Sequence, residues 1–456
     1  MQFIISLVSF EVIGICVLFF LSSKKEEKYS LSEFFSLAFL IGIGIASIIL
    51  FVLSLAGLSF TLSNICISIF ALVFVSFLIC VARRGTDFQL IKLESPKSLK
   101  FIEMFFLGAI VVQIIWLILM VIPMPVNSHD AVANFALKAK MFHFGNGIPA
   151  GFFQFPEEVV AHPDYPMLLP LAMTWIYEFT GFNDLVINMI MPCFFVAFLV
   201  LFYSLMLKLF NRAYALLLTF VLATIPQVGN YATILYADLL FAVYLSVSFA
   251  YLFLYFKRQE VRFCLLSVLM LGFAVLTKNE AIVFVAAYAL VIILRAVKEK
   301  DVRLPHAIGG IALFALICVP WYYVKATSSI GNSDIDFAAL SFSRVMQNVS
   351  GLPEFFDLFQ QQIFGPKKWN IFWIMLITAM IWRRKKLLTG NNFYLTVFFS
   401  ITVLGYFAAY MVTTGENLYF YANTTLSRFM IHFAPVALLL MAVISKDDVY
   451  ELESFK

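Results

Sequence analysis

The chain has 456 residues, 62% of them hydrophobic and only 13% charged, with 53 Phe and a mean hydropathy of +0.95. A soluble protein carries roughly 25% charged residues and could not hide this much apolar surface, so a soluble class is excluded. The formal charge of +4 says nothing about orientation, and no nucleic acid partner is expected.

Thirteen apolar stretches follow one another, near 3–21, 34–54, 60–82, 101–123, 184–207, 213–228, 237–256, 263–277, 281–297, 304–325, 369–382, 391–412 and 429–445. Most approach the about 20 residues that a helix needs to cross a bilayer, and several are short. Two-residue alternation is absent, which excludes an outer-membrane barrel. The expected fold is all-α, a polytopic transmembrane bundle of about 13 spans. The first span lacks a basic leading region and a small-residue cleavage site, and Lys24 and Lys25 follow it, so it reads as an uncleaved anchor. Glu11 in mid-span is expected to be protonated or packed against another helix. Cys16, Cys66, Cys80, Cys193, Cys264 and Cys318 all fall within spans without paired spacing and read as core residues. No nucleotide-binding or zinc-protease motif is present.

Basic residues set the expected orientation. The loops after spans one, three, five, seven, nine and eleven, with the tail, hold 23 of the 31 Lys and Arg. The positive-inside rule puts the amino terminus and the loop 124–182 outside and the tail 446–456 in the cytoplasm. The expected location is the cytoplasmic membrane, with the active site facing away from the cytoplasm.

The loop 124–182 is the first large outer segment. Asn127 or Ser128 can cap a helix beginning near His129. In that helix Val132, Phe135, Ala139 and Phe142 form a stripe suited to lying on the membrane interface. Asp130, Asn134 and Lys138, spaced four apart, share a polar stripe. Asp130 reads either as a capping carboxylate or as a reactive one. In the run HPDYP, prolines bracket Asp164 and Tyr165 and hold them in a rigid, non-helical turn beside His162. Further on, Asp238 opens the seventh span, and Lys278 and Glu280 sit between two short helices. Arg428 precedes the last span as either an interfacial anchor or an anion ligand. Ionisable groups at membrane depth cost about 2.5–3.5 kcal/mol each on insertion scales, so they face a cavity or one another. The loop 326–368 carries no strong motif and reads as an acceptor-facing lid.

Outside the cytoplasmic membrane no nucleotide pool supplies activated groups. A lipid phosphate-linked sugar meets that need, because its phosphate leaves without strong acid assistance. Such a transferase needs one carboxylate to take the acceptor's proton and cations to bind the departing phosphate. A glycosidase normally needs a second carboxylate and an acid.

With Asp130 followed by KAK at 138–140, HPDYPMLLPL at 162–171, YAD at 236–238, TKNEA at 277–281, KWNIFW at 368–373 and TTLSR at 424–428, the chain resembles the glycosyltransferase C superfamily. The likeness is to bacterial relatives of protein mannosyltransferases and lipid A aminoarabinose transferases, over roughly residues 100–445. It implies an inverting enzyme that takes a sugar from a polyprenyl phosphate, with Asp130 as general base. Members often carry an acidic pair at that place; Ala131 follows here, which makes Asp164 or Asp238 the candidate second carboxylate. Lys278, Arg428 and Lys138 are the expected phosphate ligands, and Asp164, His162, Tyr165, Asp238 and Glu280 would orient sugar or acceptor. Expected partners are the lipid-linked donor, a lipid, glycan or protein acceptor, and membrane lipids; a divalent metal ion is the one cofactor left open. Residues 1–100 read as an added amino-terminal transmembrane unit before a domain at 101–445. The rival readings are an O-antigen ligase or polymerase with a diphosphate-linked donor, and a lipid or sugar transporter.

The basic loops predict that a reporter fused after Arg384 is cytoplasmic while one inserted near Asn146 is extracytoplasmic. Both reporters on one side would overturn the orientation.

Overall fold

The computed structural model describes residues 1–22, 28–84, 89–92, 98–156, 159–328, 330, 341–413 and 417–446. Expected cytoplasmic residues such as Lys24, Lys25, Lys97 and Lys456, and the lid residues 331–340, lie outside these.

The chain begins with α1 (Gln2–Leu21), α2 (Leu31–Leu55), α3 (Leu62–Arg84) and α4 (Phe101–Val121). The polar segment that follows holds a π-helical turn, Ala131–Phe135, then α5 (Ala136–Phe144) and α6 (Leu168–Thr180). Next come α7 (Asp184–Asn188), α8 (Ile190–Leu207), α9 (Arg212–Ala223), α10 (Pro226–Tyr231), α11 (Ala237–Arg258) and α12 (Val261–Val275). They are followed by α13 (Ala281–Lys298), α14 (Leu304–Thr327), α15 (Phe342–Ser350), α16 (Leu352–Phe364) and α17 (Pro366–Trp369). The chain closes with α18 (Phe372–Trp382), α19 (Arg384–Leu387), α20 (Gly390–Val412) and α21 (Leu418–Ile444). A two-residue parallel pairing, β1 (Tyr29–Ser30) with β2 (Ile91–Lys92), is the one sheet among the described residues.

Ten of these helices are long and apolar enough to cross a membrane, and α9, α12 and α18 are shorter apolar ones. Each expected span corresponds to one of the thirteen. This is an all-α polytopic membrane protein. Burial ranks the helices: the apolar windows of α11 and α21 are 100% and 94% buried, those of α3 and α4 only 17%. The first two are hydrophobic all round because they form the centre, and the last two face lipid.

The amino-terminal helices are built into this centre. Trp175 Nε1 donates to Ser9 Oγ at 2.9 Å, Tyr244 donates to the Leu40 carbonyl at 3.0 Å, and Ser47 to the Leu168 carbonyl at 2.9 Å. Lys208 pairs with the fully buried Glu33 at 2.8 Å. Helices α1 and α2 approach so closely that a Cβ on Gly14 would fall 1.8 Å from the Ala38 carbonyl oxygen, and one on Gly42 1.8 Å from that of Phe10. Small residues at such crossings let backbones touch, which is how helices pack in lipid.

The segment expected as a lid is largely helical where described. Asn348 donates to the Met411 and Thr413 carbonyls, both at 3.0 Å, and Arg344 Nε to Thr413 O at 3.2 Å, so α15 is tied to the end of α20. Polar side chains too sparse to mark a helix pattern found backbone carbonyls instead.

Gly14→Val should force α1 and α2 apart and lower the thermal unfolding temperature of purified protein. An unchanged midpoint would mean the crossing yields without cost.

Candidate active site

Asp238 stands in the first turn of α11, where the helix dipole favours an anion, and is fully buried. Three side chains meet its carboxylate. Lys278 Nζ donates to Oδ1 at 2.9 Å, Arg428 reaches Oδ2 through Nη2 at 3.0 Å, and His432 Nε2 lies 3.2 Å from Oδ1. Arg428 and His432 are four apart on α21 and therefore share a face. Tyr406 of α20 ends the row, its hydroxyl 2.8 Å from His432 Nδ1.

Arg428 bridges two carboxylates. Its Nη1 lies 2.8 Å from Asp130 Oδ2 while Nη2 holds Asp238, a use of the guanidinium fork that lysine could not copy. The guanidinium also lies 5.0 Å from the Tyr236 ring centroid, and the Tyr236 hydroxyl accepts the Asp130 backbone N–H at 3.2 Å. The Asp130 side chain keeps 26% of its exposure and that of Asp238 none. Of the two, Asp130 is the carboxylate a ligand can reach.

The turn between α12 and α13 joins this centre to a second cluster. Lys278 also pairs with Glu280 Oε1 at 3.0 Å. Burial opposes its charge, but Asp238 and Glu280 outweigh burial and hold the ammonium above the ordinary lysine range. Asn279 turns the other way: its Nδ2 donates to Asp164 Oδ2 at 3.1 Å, and Lys325 donates to its Oδ1 at 3.5 Å. Asp164 lies in the expected proline-bracketed turn, where His162 adopts a left-handed φ of 51°, unusual for a residue with a side chain. The His162 and Tyr165 rings stack with centroids 4.5 Å apart. Lys138 of α5 donates to the His162 carbonyl at 2.6 Å. Burial pushes its ammonium down to about 7, against the upward pull of Asp164.

Asp130, Asp238, Lys278, Glu280 and Arg428 thus share one cluster, and Asp164, His162, Tyr165 and Lys138 a second, with Asn279 between them. Four expectations change. The stripe of Phe135, Ala139 and Phe142 is buried in protein, with only Val132 exposed, because α5 packs against α6 rather than on the interface. Neither Asn127 nor Ser128 caps the helix through its side chain; the Ser128 carbonyl accepts the Val132 N–H at 2.9 Å. Lys278, expected to face a phosphate, is instead 2% exposed and paired with Asp238 and Glu280. Arg428 lies well inside α21 rather than before a helix. Sequence patterning does not mark the contacts of His432, Tyr406, Tyr236 and Asn279; for His432 the four-residue spacing from Arg428 is the available signal. Among the described residues no group of three or more His, Cys, Asp or Glu is placed to hold a metal ion.

Because the folded Lys138 loses its proton near 7 while an unfolded lysine keeps it to about 10.4, stability should rise with pH across that window. Lys138→Met should flatten the rise, measured as unfolding temperature from pH 6.5 to 10. Equal slopes in both proteins would show that Lys138 titrates normally.

Residues 164–323, about a third of the chain, match the family model described as dolichyl-phosphate-mannose-protein mannosyltransferase. The matched segment takes in Asp164, Asp238, Lys278 and Glu280, and leaves Asp130, Lys138, His162 and Arg428 outside it. No curated protein and no solved structure matches the chain. The family match and the helical membrane architecture together indicate a membrane glycosyltransferase of the GT-C superfamily.

Proposed function

We propose that the enzyme moves a sugar, with inversion, from a polyprenyl phosphate to an acceptor hydroxyl on the outer face of the cytoplasmic membrane. The observation that carries this is the Arg428 bridge between a buried Asp238 and an accessible Asp130. The distribution of basic residues supports the outer face, and the matched family supports a lipid phosphate donor.

Asp130 takes the proton of the acceptor hydroxyl. The acceptor oxygen then bonds to the anomeric carbon as the bond from that carbon to the phosphate oxygen breaks, and polyprenyl phosphate leaves with the electron pair. Arg428 binds the phosphate. Its fork serves two carboxylates, so turning one arm to the phosphate releases Asp130 as a base. Donor binding and base activation are thereby one event. Lys278 pairs with Asp238 behind Arg428, and so holds Arg428 in place. Asp164, with His162, Tyr165, Glu280 and Lys138, shapes the wall that orients sugar or acceptor.

Asp130→Asn should keep expression and donor binding while turnover falls about 10²–10⁴-fold, the usual general-base contribution. Retention of about half the rate would move the role to Asp164 or Asp238. Measured alongside, Arg428→Ala should weaken binding of sugar-free polyprenyl phosphate, and Arg428→Lys should restore it only in part, because lysine is a point charge. An unchanged affinity in the folded variants would remove Arg428 from the phosphate site.

A further inference from the structure

Asn134 lies on the π-helical turn one helical step from Asp130, and is 1% exposed. Neither its Oδ1 nor its Nδ2 meets a hydrogen-bonding partner among the described residues. Its neighbours along the same side are both engaged: Asp130 with Arg428 at 2.8 Å, and Lys138 with the His162 carbonyl at 2.6 Å. A buried amide left unpaired destabilises a protein, and an apolar residue of the same shape would remove that cost. A π-turn is itself an irregularity that gathers at functional sites.

We infer that Asn134 is a sugar-binding residue that engages two neighbouring hydroxyls of a pyranose placed beside Asp130. The amide offers one acceptor and one donor edge side by side, and each hydroxyl can donate or accept. Side chains four apart on a helix carry Cβ atoms about 5–6 Å apart, so a ring reacting at Asp130 can reach Asn134 with another of its oxygens. Two neighbouring ring hydroxyls can meet both edges of one amide at once, one donating and one accepting. The inference rests on the proposed reaction. The sugar has two sources, the transferred residue of the donor or a glycan acceptor.

The test uses full-length protein in lipid nanodiscs, with Asn134→Leu and Asn134→Ala, and two probes: decaprenyl phosphate mannose and sugar-free decaprenyl phosphate. Both variants should fold, the Leu variant with an unfolding temperature at or above wild type. If the donor sugar is the ligand, the variants lose about tenfold of the preference for the sugar-loaded lipid and bind the sugar-free lipid as before. If the acceptor is the ligand, both lipid affinities hold, and product made in cells of a deletion strain falls about tenfold or more with the new linkage on a sugar. Unchanged preference and unchanged product, equal weakening of both lipids, or a linkage on Ser or Thr would overturn the inference. So would a wild type that shows neither preference nor product. Asp130→Asn in the same assays separates the two readings: if it keeps turnover the base assignment falls, while the binding result for Asn134 stands.

Discussion

The buried charge on Asp238 is the constraint to which the rest of the site answers. A carboxylate with no exposure is tolerable only if cations and hydrogen bonds surround it, since removing one partner of such a group typically costs about 3–5 kcal/mol. Lys278, Arg428 and His432 provide that surrounding, and they arrive from a turn and from a helix nearly two hundred residues further on. Satisfying Asp238 therefore brings α11, α20, α21 and the turn after α12 to one place.

That assembly places positive charge next to Asp130 without spending it entirely. Asp238 neutralises part of Arg428, and Glu280 part of Lys278. What remains is a cluster of opposite charges with Asp130, its most exposed carboxylate, at the edge. The second cluster, around the strained His162, is joined to the first through Asn279, whose amide donates to Asp164.

Much of the architecture was legible in the sequence because a helix that crosses lipid must be long and apolar. The residues that carry charge were legible for the related reason that charge is rare in such a chain. Their hierarchy was not. The family resemblance puts Asp130 foremost and leaves Asp238 as one of several, whereas three-dimensional packing makes Asp238 the hub. The stripe through Phe135 and Phe142 looked amphipathic, but a pattern cannot say whether an apolar face meets lipid or another helix. His432 and Tyr406 escaped for the same reason, since a histidine and a tyrosine within apolar spans mean little until the hydroxyl and the ring are seen 2.8 Å apart.

The length of α12 has a consequence of its own. Its 15 residues rise about 22 Å, while the adjoining α11 has 22 residues and rises about 33 Å. Lys278, in the turn after α12, still meets Asp238 in the first turn of α11 at 2.9 Å, so a long side chain makes up for the shorter helix. With that pair 2% exposed at most, each of its charges acts in a low dielectric and more strongly than it would in water.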